Sequence, residues 1–401
     1  MKAQRFKLFL MLFLDNSTTV KFALGVLVGM AFSIAVILST MGIMDGFDRA
    51  LKRGLKRSVG DLSMYSRHGF FNADKNLLKK FENTKILQYS ALVQTESFLI
   101  FNDESRGVLV KGIDENYGSV VGLPFSLHPK EVAIGSEIAK INQIKIGDEI
   151  VLAFGKGNAG LKSMPALERF TVATIIEHGI YQKDSRLVYV RLDEVQRILG
   201  LRTSVNLISF NIPESKGIDD IANLEKIESY LPVLRQRFGN DFLFKPYWRE
   251  FAPLIEAVKA EKVMISLILQ MVVVISIFNI LAFIIFINEK KSKELFLFKA
   301  LGMSRKAMSD LWMKLVMLMW VLSCLVSILF VKFFEICLMK LSLFELPSEI
   351  YYMPRIELYL SWKDYLFVFS LALVWIMVIT YYLLRRLKQK SLLEGLRQEF
   401  A

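Results

Sequence analysis

Residues 263–310 read VMISLILQMVVVISIFNILAFIIFINEKKSKELFLFKALGMSRKAMSD. The first 25 of them, 263–287, hold no Asp, Glu, Lys or Arg. The 23 that follow, 288–310, hold six basic and three acidic residues. An uncharged run of about 18 or more residues has the length of a bilayer-spanning helix. A span that stops abruptly in a charged, partly apolar segment predicts a membrane helix with a surface handle attached. In the handle, Leu295, Phe298 and Leu301 share one helical face. Gly302 is placed to end that helix in the left-handed conformation. Ser304 is placed to cap the helix after it. Two readings stay open from these residues alone: a docking helix for a partner, or an ordinary basic loop on the cytoplasmic side.

Three more apolar blocks flank this one. Residues 22–44 and 365–384 are uncharged for 23 and 20 residues, and 315–331 runs 17 residues between Lys314 and Lys332. The first block is too long for a signal-peptide core of about 7–15 residues, so it is read as a retained helix. Its Gly25 and Gly29 have the spacing that permits close helix packing, and Gln270 and Asn279 in the next span are read as interhelical hydrogen-bonding groups. Beyond the first block, Met44, Phe47, Leu51 and Leu55 keep helical spacing, which predicts a helix projecting past the bilayer.

These observations divide the chain. Residues 1–20 form an interfacial helix or a disordered basic start. Spans occupy 21–44, 263–287, 311–334 and 364–384. A large domain fills 45–262, a charged segment 288–310, a short loop 335–363 and a tail 385–401. Segment 288–310 and the tail are short and basic, which places both in the cytoplasm together with the N-terminus. Residues 45–262 and 335–363 are then extracytoplasmic.

Composition excludes several functions. The chain has 401 residues, is 53% hydrophobic and carries a net charge of +12, but its basic residues cluster beside apolar runs. That pattern fits a lipid bilayer and not nucleic acid. His68, His128 and His178 are scattered, so no metal site is expected. No hydrolytic constellation stands out, so the chain is read as non-catalytic.

The external segment alternates short apolar-polar runs with amphipathic ones. Residues 97–101, 107–111, 149–154, 170–176 and 187–190 read as strands. Residues 76–81, 136–141, 192–199 and 218–238 read as helices, which together make an α+β domain. Between two of the strands lies FGKGNAGLKSMPALER, residues 154–169. Its GKGNAGLKS is no phosphate loop, because Leu161 separates Gly160 from Lys162. It is a long hairpin loop, either without a specific role or the seat of a partner.

Residues 279–308, NILAFIIFINEKKSKELFLFKALGMSRKAM, resemble the span and coupling segment of FtsX-like ABC transporter permeases. Glu289, Lys290, Glu294, Leu301 and Gly302 carry the match. Within that family the chain is most similar to the LolC/LolE lipoprotein-releasing permeases. MDGFDRAL (44–51), YWREFAPLIEAVKAEKVMISLIL (247–269), LPSEIYYMPRIELYLSWKDYL (346–366) and LLEGLRQEF (392–400) resemble that group in order. The resemblance implies a MacB/FtsX-like fold: four transmembrane helices with a large α+β extracytoplasmic domain between the first and second.

It also implies a function. Such a subunit extracts lipoproteins from the outer leaflet of the bacterial inner membrane and hands them to a periplasmic carrier. A separate ATPase subunit, holding ATP and Mg, drives it, and a second permease subunit completes the complex. The ATPase would grip Glu289, Lys290, Glu294, Leu301 and Gly302. Met44, Phe47 and Met264 would line the lipoprotein cavity, and Met164 and Pro165 would sit in the carrier-binding loop. Other members of the family export drugs or peptides, or transmit mechanical signals to a cell-wall hydrolase. Three features depart from the family pattern. Asp45 replaces the usual Asn, the fourth span ends without a Pro-Ala-rich run, and Lys291 and Phe296 are unusual.

Overall fold

The computed structural model describes residues 11, 17–82, 84, 86, 88–123, 126–155, 165–213, 224–291, 298, 302–340 and 358–387. The chain divides into two compact units. One comprises Met1–Gly46, Val258–Phe344 and Glu357–Ala401; the other comprises Phe47–Ala257 and Glu345–Ile356.

The first unit is built from long apolar helices. Helix α1 spans Ser17–Val59, 43 residues. At 1.5 Å per residue it is about 64 Å long, twice the roughly 30 Å of a hydrocarbon core. Among the described residues, three helices are long and apolar enough to cross a membrane: Ser17–Val59, Lys306–Leu338 and Trp362–Tyr382. The apolar block at 263–287, expected to be a further span, lies inside one unbroken helix, Ala252–Lys290. Several of its side chains between 266 and 277 lie outside the described set, and within it Phe278–Ile287 registers as a shorter apolar helix. The expected helix at 1–20 and the tail 388–401 fall largely or wholly outside the described residues.

The second unit is a β-structure with short helices on its surface. Strands β1 (Leu62–Ser66), β2 (Phe71–Asn72), β3 (Tyr89–Phe101), β4 (Glu104–Ile113) and β5 (Glu131–Gly135) come first. Strands β6 (Glu149–Phe154), β7 (Ala166–Ile176), β8 (Leu187–Arg191), β9 (Ser204–Val205), β10 (Leu207–Phe210) and β11 (Phe242–Pro246) follow. The main sheet runs β11-β1-β10-β3-β4-β8-β5-β7-β6, and β6 also pairs with β3. The last six strands therefore close into a barrel, which removes their free edges. Val93, Leu99, Val110, Val132, Ile150, Leu152, Phe170 and Val188 fill a fully buried core within this group.

The 13-residue β3 belongs to both parts. Its start pairs with β10 (Leu207↔Leu92), and its end pairs with β4 and β6 (Phe98↔Gly107, Phe98↔Ala153). A second core gathers Leu51 and Leu55 of α1 with Leu62, Met64, Phe81, Phe210, Phe238 and Phe244. The expected projection of α1 past the bilayer thus buries its apolar stripe in the external unit. All five expected strands are present, the helix expected at 76–81 is seen as Lys75–Glu82, and those expected at 136–141 and 192–199 are present. The fourth expected helix is seen as Leu224–Phe238, with 218–223 outside the described residues. Strands β1, β2, β5, β9, β10 and β11 were not anticipated.

Candidate functional site

Three places carry the candidate residues. The first is where α1 meets α2, the helix Ala252–Lys290, inside the membrane unit. Phe22 stacks on Phe286 with ring centroids 4.2 Å apart. Further along, a Cβ added at Gly29 would lie 3.2 Å from the Asn279 amide nitrogen. Further still, Asp45 pairs with Lys262. Each advance along α1 is matched by a retreat along α2, so the helices run antiparallel and approach each other at these three places. Small residues permit this approach. Gly29 serves it, whereas Gly25 has nothing within 4 Å of its Cβ position. The Asn279 side chain stands at this approach, and that of Gln270 lies outside the described residues.

Met44 and Met264 flank the Asp45–Lys262 pair. Met44 is half-buried and Met264 is 60% exposed. Phe47, grouped with them in the sequence, instead packs against the core of the external unit. The Asp45–Lys262 pair was not anticipated; the one signal was the acid at position 45.

The second place is the C-terminal end of α2. Glu289 and Lys290 are exposed, while Lys291 is 7% exposed. Gly302 takes φ +86°, and the Met303 amide donates to the Phe298 carbonyl at 3.0 Å. That bond and that left-handed glycine are the marks of a helix stop. The Ala307 amide donates to Ser304 Oγ at 3.2 Å, a helix N-cap. Phe298 and Met303 pack against a membrane-unit core formed by Ile284, Ile287, Met308, Leu311 and Trp312. The joint after the handle is therefore pinned to the helices around it. Glu294 and Leu301 lie outside the described residues.

The third place is the β6–β7 hairpin on the barrel. The strands register Phe154↔Ala166 and Ala153↔Leu167, so the connection between them is shorter than the sequence implied. Pro165 is exposed at its base, and Met164 lies outside the described residues. Phe98 and Leu167 are 59% and 61% exposed on the barrel wall, on either side of Ala153. Beside them Lys130 donates to Glu168 at 2.6 Å, and this bond holds the Glu168 carboxyl below its usual range.

Among the described residues no group of three or more His, Cys, Asp and Glu could hold a metal ion.

Known proteins resemble the chain over most of its length. A family model for the FtsX-like permease C-terminal region matches residues 266–392. A model for the MacB-like periplasmic core domain matches residues 23–224, half of the chain. The lipoprotein-releasing system transmembrane protein LolC of Xylella fastidiosa (strain 9a5c) is 20% identical over 397 residues, covering 93% of each chain. LolC of Neisseria meningitidis serogroup B is 23% identical over 305 residues, covering 71% of this chain and 70% of its own. The periplasmic region of MacB from Actinobacillus actinomycetemcomitans is a structural relative at 13% identity and a TM-score of 0.31. It covers 50% of this chain and 95% of that one.

Proposed function

The chain belongs to the FtsX-like permeases with a MacB-like periplasmic core domain, and from that premise we propose that it is a lipoprotein-releasing permease. In this reading it extracts acylated lipoproteins from the outer leaflet of the bacterial inner membrane and passes them to a periplasmic carrier. The observation that carries the reading is the likeness to LolC along 93% of both chains. A likeness confined to the external domain or to the spans would support the superfamily and no more.

The remaining assignments follow from this reading. The membrane is crossed four times, with 263–287 as the second span and both termini in the cytoplasm. The external unit stands in the periplasm. A separate ATPase, which binds ATP and Mg, docks on Glu289, Lys290, Glu294, Leu301 and Gly302. A second permease, identical or paralogous, completes the complex. Cargo passes Met44, Phe47 and Met264, and the carrier meets the hairpin at Met164 and Pro165. The exposure of Glu289 and Lys290 and the pinned stop at Gly302 support the docking segment: a handle must be accessible yet fixed to what it moves.

Photocrosslinking from position 264 in intact cells tests the proposal. Capture of triacylated lipoproteins is the expected result. Their consistent absence, with an ATPase co-purifying, would leave a permease of other cargo.

A further inference from the structure

Both helices that leave the external unit meet one short segment, residues 178–184, at the end of β7. It contains the single-turn helix Tyr181–Asp184. On the α1 side, a Cβ at Gly54 would lie 2.5 Å from Ile180 and 2.8 Å from the His178 carbonyl oxygen. Ile180 is fully buried in the same core as Leu51 and Leu55. On the other side, Lys183 Nζ donates to Glu250 Oε2 at 2.9 Å and stands 5.0 Å from the Phe251 ring centroid. Those two residues form the 3-10 turn Arg249–Phe251 that leads directly into α2.

The segment is itself stapled in place. The His178 amide donates to Asp184 Oδ1 at 2.8 Å, and the Gly179 amide donates to Asp184 Oδ2 at 3.1 Å. The His178 ring bonds Asp184 through Nδ1 and the Tyr189 hydroxyl of β8 through Nε2, both at 2.7 Å. A Cβ at Gly135 would sit 2.2 Å from the Asp184 carbonyl oxygen, so the end of β5 closes on it as well. Nearby, Lys111 Nζ and the Tyr117 hydroxyl both donate to the Ser58 carbonyl, and so hold the C-terminal turn of α1. Satisfied buried polar networks of this kind rigidify one arrangement. Apolar packing alone would hold the segment down, but it would not fix the position of Lys183 relative to Gly54.

We propose that residues 178–184 form a coupling tie, with Lys183 and Glu250 as its positioning residues. The tie fixes the start of α2 to the last turns of α1 and to the barrel. A displacement of α2 then reaches α1 and the barrel instead of being absorbed at residues 247–251. Its functional half rests on the proposed function, in which α2 is driven from its cytoplasmic end.

The test uses full-length protein with its partner subunits in membranes. Lys183→Met and Glu250→Gln are compared with Arg191→Met, which removes the Arg191–Asp193 ion pair elsewhere on the barrel. Two quantities are read: amide exchange at 54–60, and carrier-dependent lipoprotein release against ATP hydrolysis. The tie predicts that Lys183→Met raises exchange at 54–60 by about three-fold or more. It also predicts that release falls while hydrolysis stays within about two-fold, and that Arg191→Met does neither. A purely structural role would lower release and hydrolysis together, and that result overturns the proposal. So does an exchange change confined to 249–252, or a change at 54–60 with release intact. If the unaltered protein releases no lipoprotein, the proposed function fails by itself. The exchange arm then still decides whether the tie exists: a rise at 54–60 supports it, and no rise overturns it.

Discussion

Lys56 and Asp61 offer the sharpest energetic test of the external unit. Lys56 Nζ lies 2.7 Å from Asp61 Oδ1, and both side chains are 0% exposed. The other Asp61 oxygen accepts the Ile212 amide at 3.0 Å, and the Asp61 amide donates to Asn211 Oδ1 at 3.1 Å. The pair thus joins the end of α1 to the residues that directly follow β10. Lys56→Met keeps the stem's packing but strands a carboxylate with no water to receive it. Removing one partner of such a buried pair costs about 3–5 kcal/mol. Adding Asp61→Asn removes the stranded charge while keeping an acceptor for Ile212. The double variant should fall within about 1–2 kcal/mol of the parent, a coupling of at least about 2 kcal/mol. Amide exchange in full-length protein in detergent reads this directly at 62–66 and 207–210. Each 1.4 kcal/mol is about ten-fold, so Lys56→Met should lower protection there by roughly a hundred-fold or more. A loss below about ten-fold, or a double variant no better than the single, would refute the reasoning.

Three other outcomes are expected. Burial holds the His178 imidazole below its ordinary pKa, against the opposing pull of Asp184 and with Lys111 and Lys183 adding to the depression. The unfolded chain takes up that proton as pH falls through about 6.5 and the folded chain does not, so stability should decline below that pH by at most about 1.4 kcal/mol per unit. Urea titrations between pH 7.5 and 5 should show this slope, and His178→Gln should flatten it. Gly135→Ala, whose Cβ would meet the Asp184 carbonyl at 2.2 Å, should cost about 1–3 kcal/mol and lower Tm, whereas Gly107→Ala, with nothing within 4 Å, should not. Asp45→Cys with Lys262→Cys should crosslink within one chain under mild oxidant, while Asp45→Asn should change Tm little, because the pair is 23% and 47% exposed.

Local pattern made much of this molecule legible. The uncharged runs gave the long helices, and the stripe Met44-Phe47-Leu51-Leu55 gave the projection of α1, because each is a short-range periodicity. Gly302 and Ser304 were legible because caps are decided within a few residues. Strand β7 alternates over a long enough stretch to be seen. Strands β5 and β10 do not alternate: every described residue of LISF is buried, and EVAIG is buried after its first residue. A strand covered on both faces loses the period of two. Lys111 was read as the polar end of a strand, yet it is 2% exposed, and burial pulls its amine down to about 7. The outer face of β4 is covered there by α1 and by Tyr117, which no window around residue 111 contains. The same holds for Lys183–Glu250 and Asp45–Lys262, partners separated by 67 and 217 positions.

Strands β1 and β11 are the first and last of the external unit, and they lie side by side. Leu62 stands opposite Pro246 in the ladder, and the pairing continues to Ser66↔Phe242. Neighbouring strands are about 5 Å apart. A domain whose two ends meet at that distance makes almost no geometric demand on the chain that hosts it. The ladder therefore sets the end of α1 and the lead-in to α2 side by side, and closing this one pair of strands closes the unit.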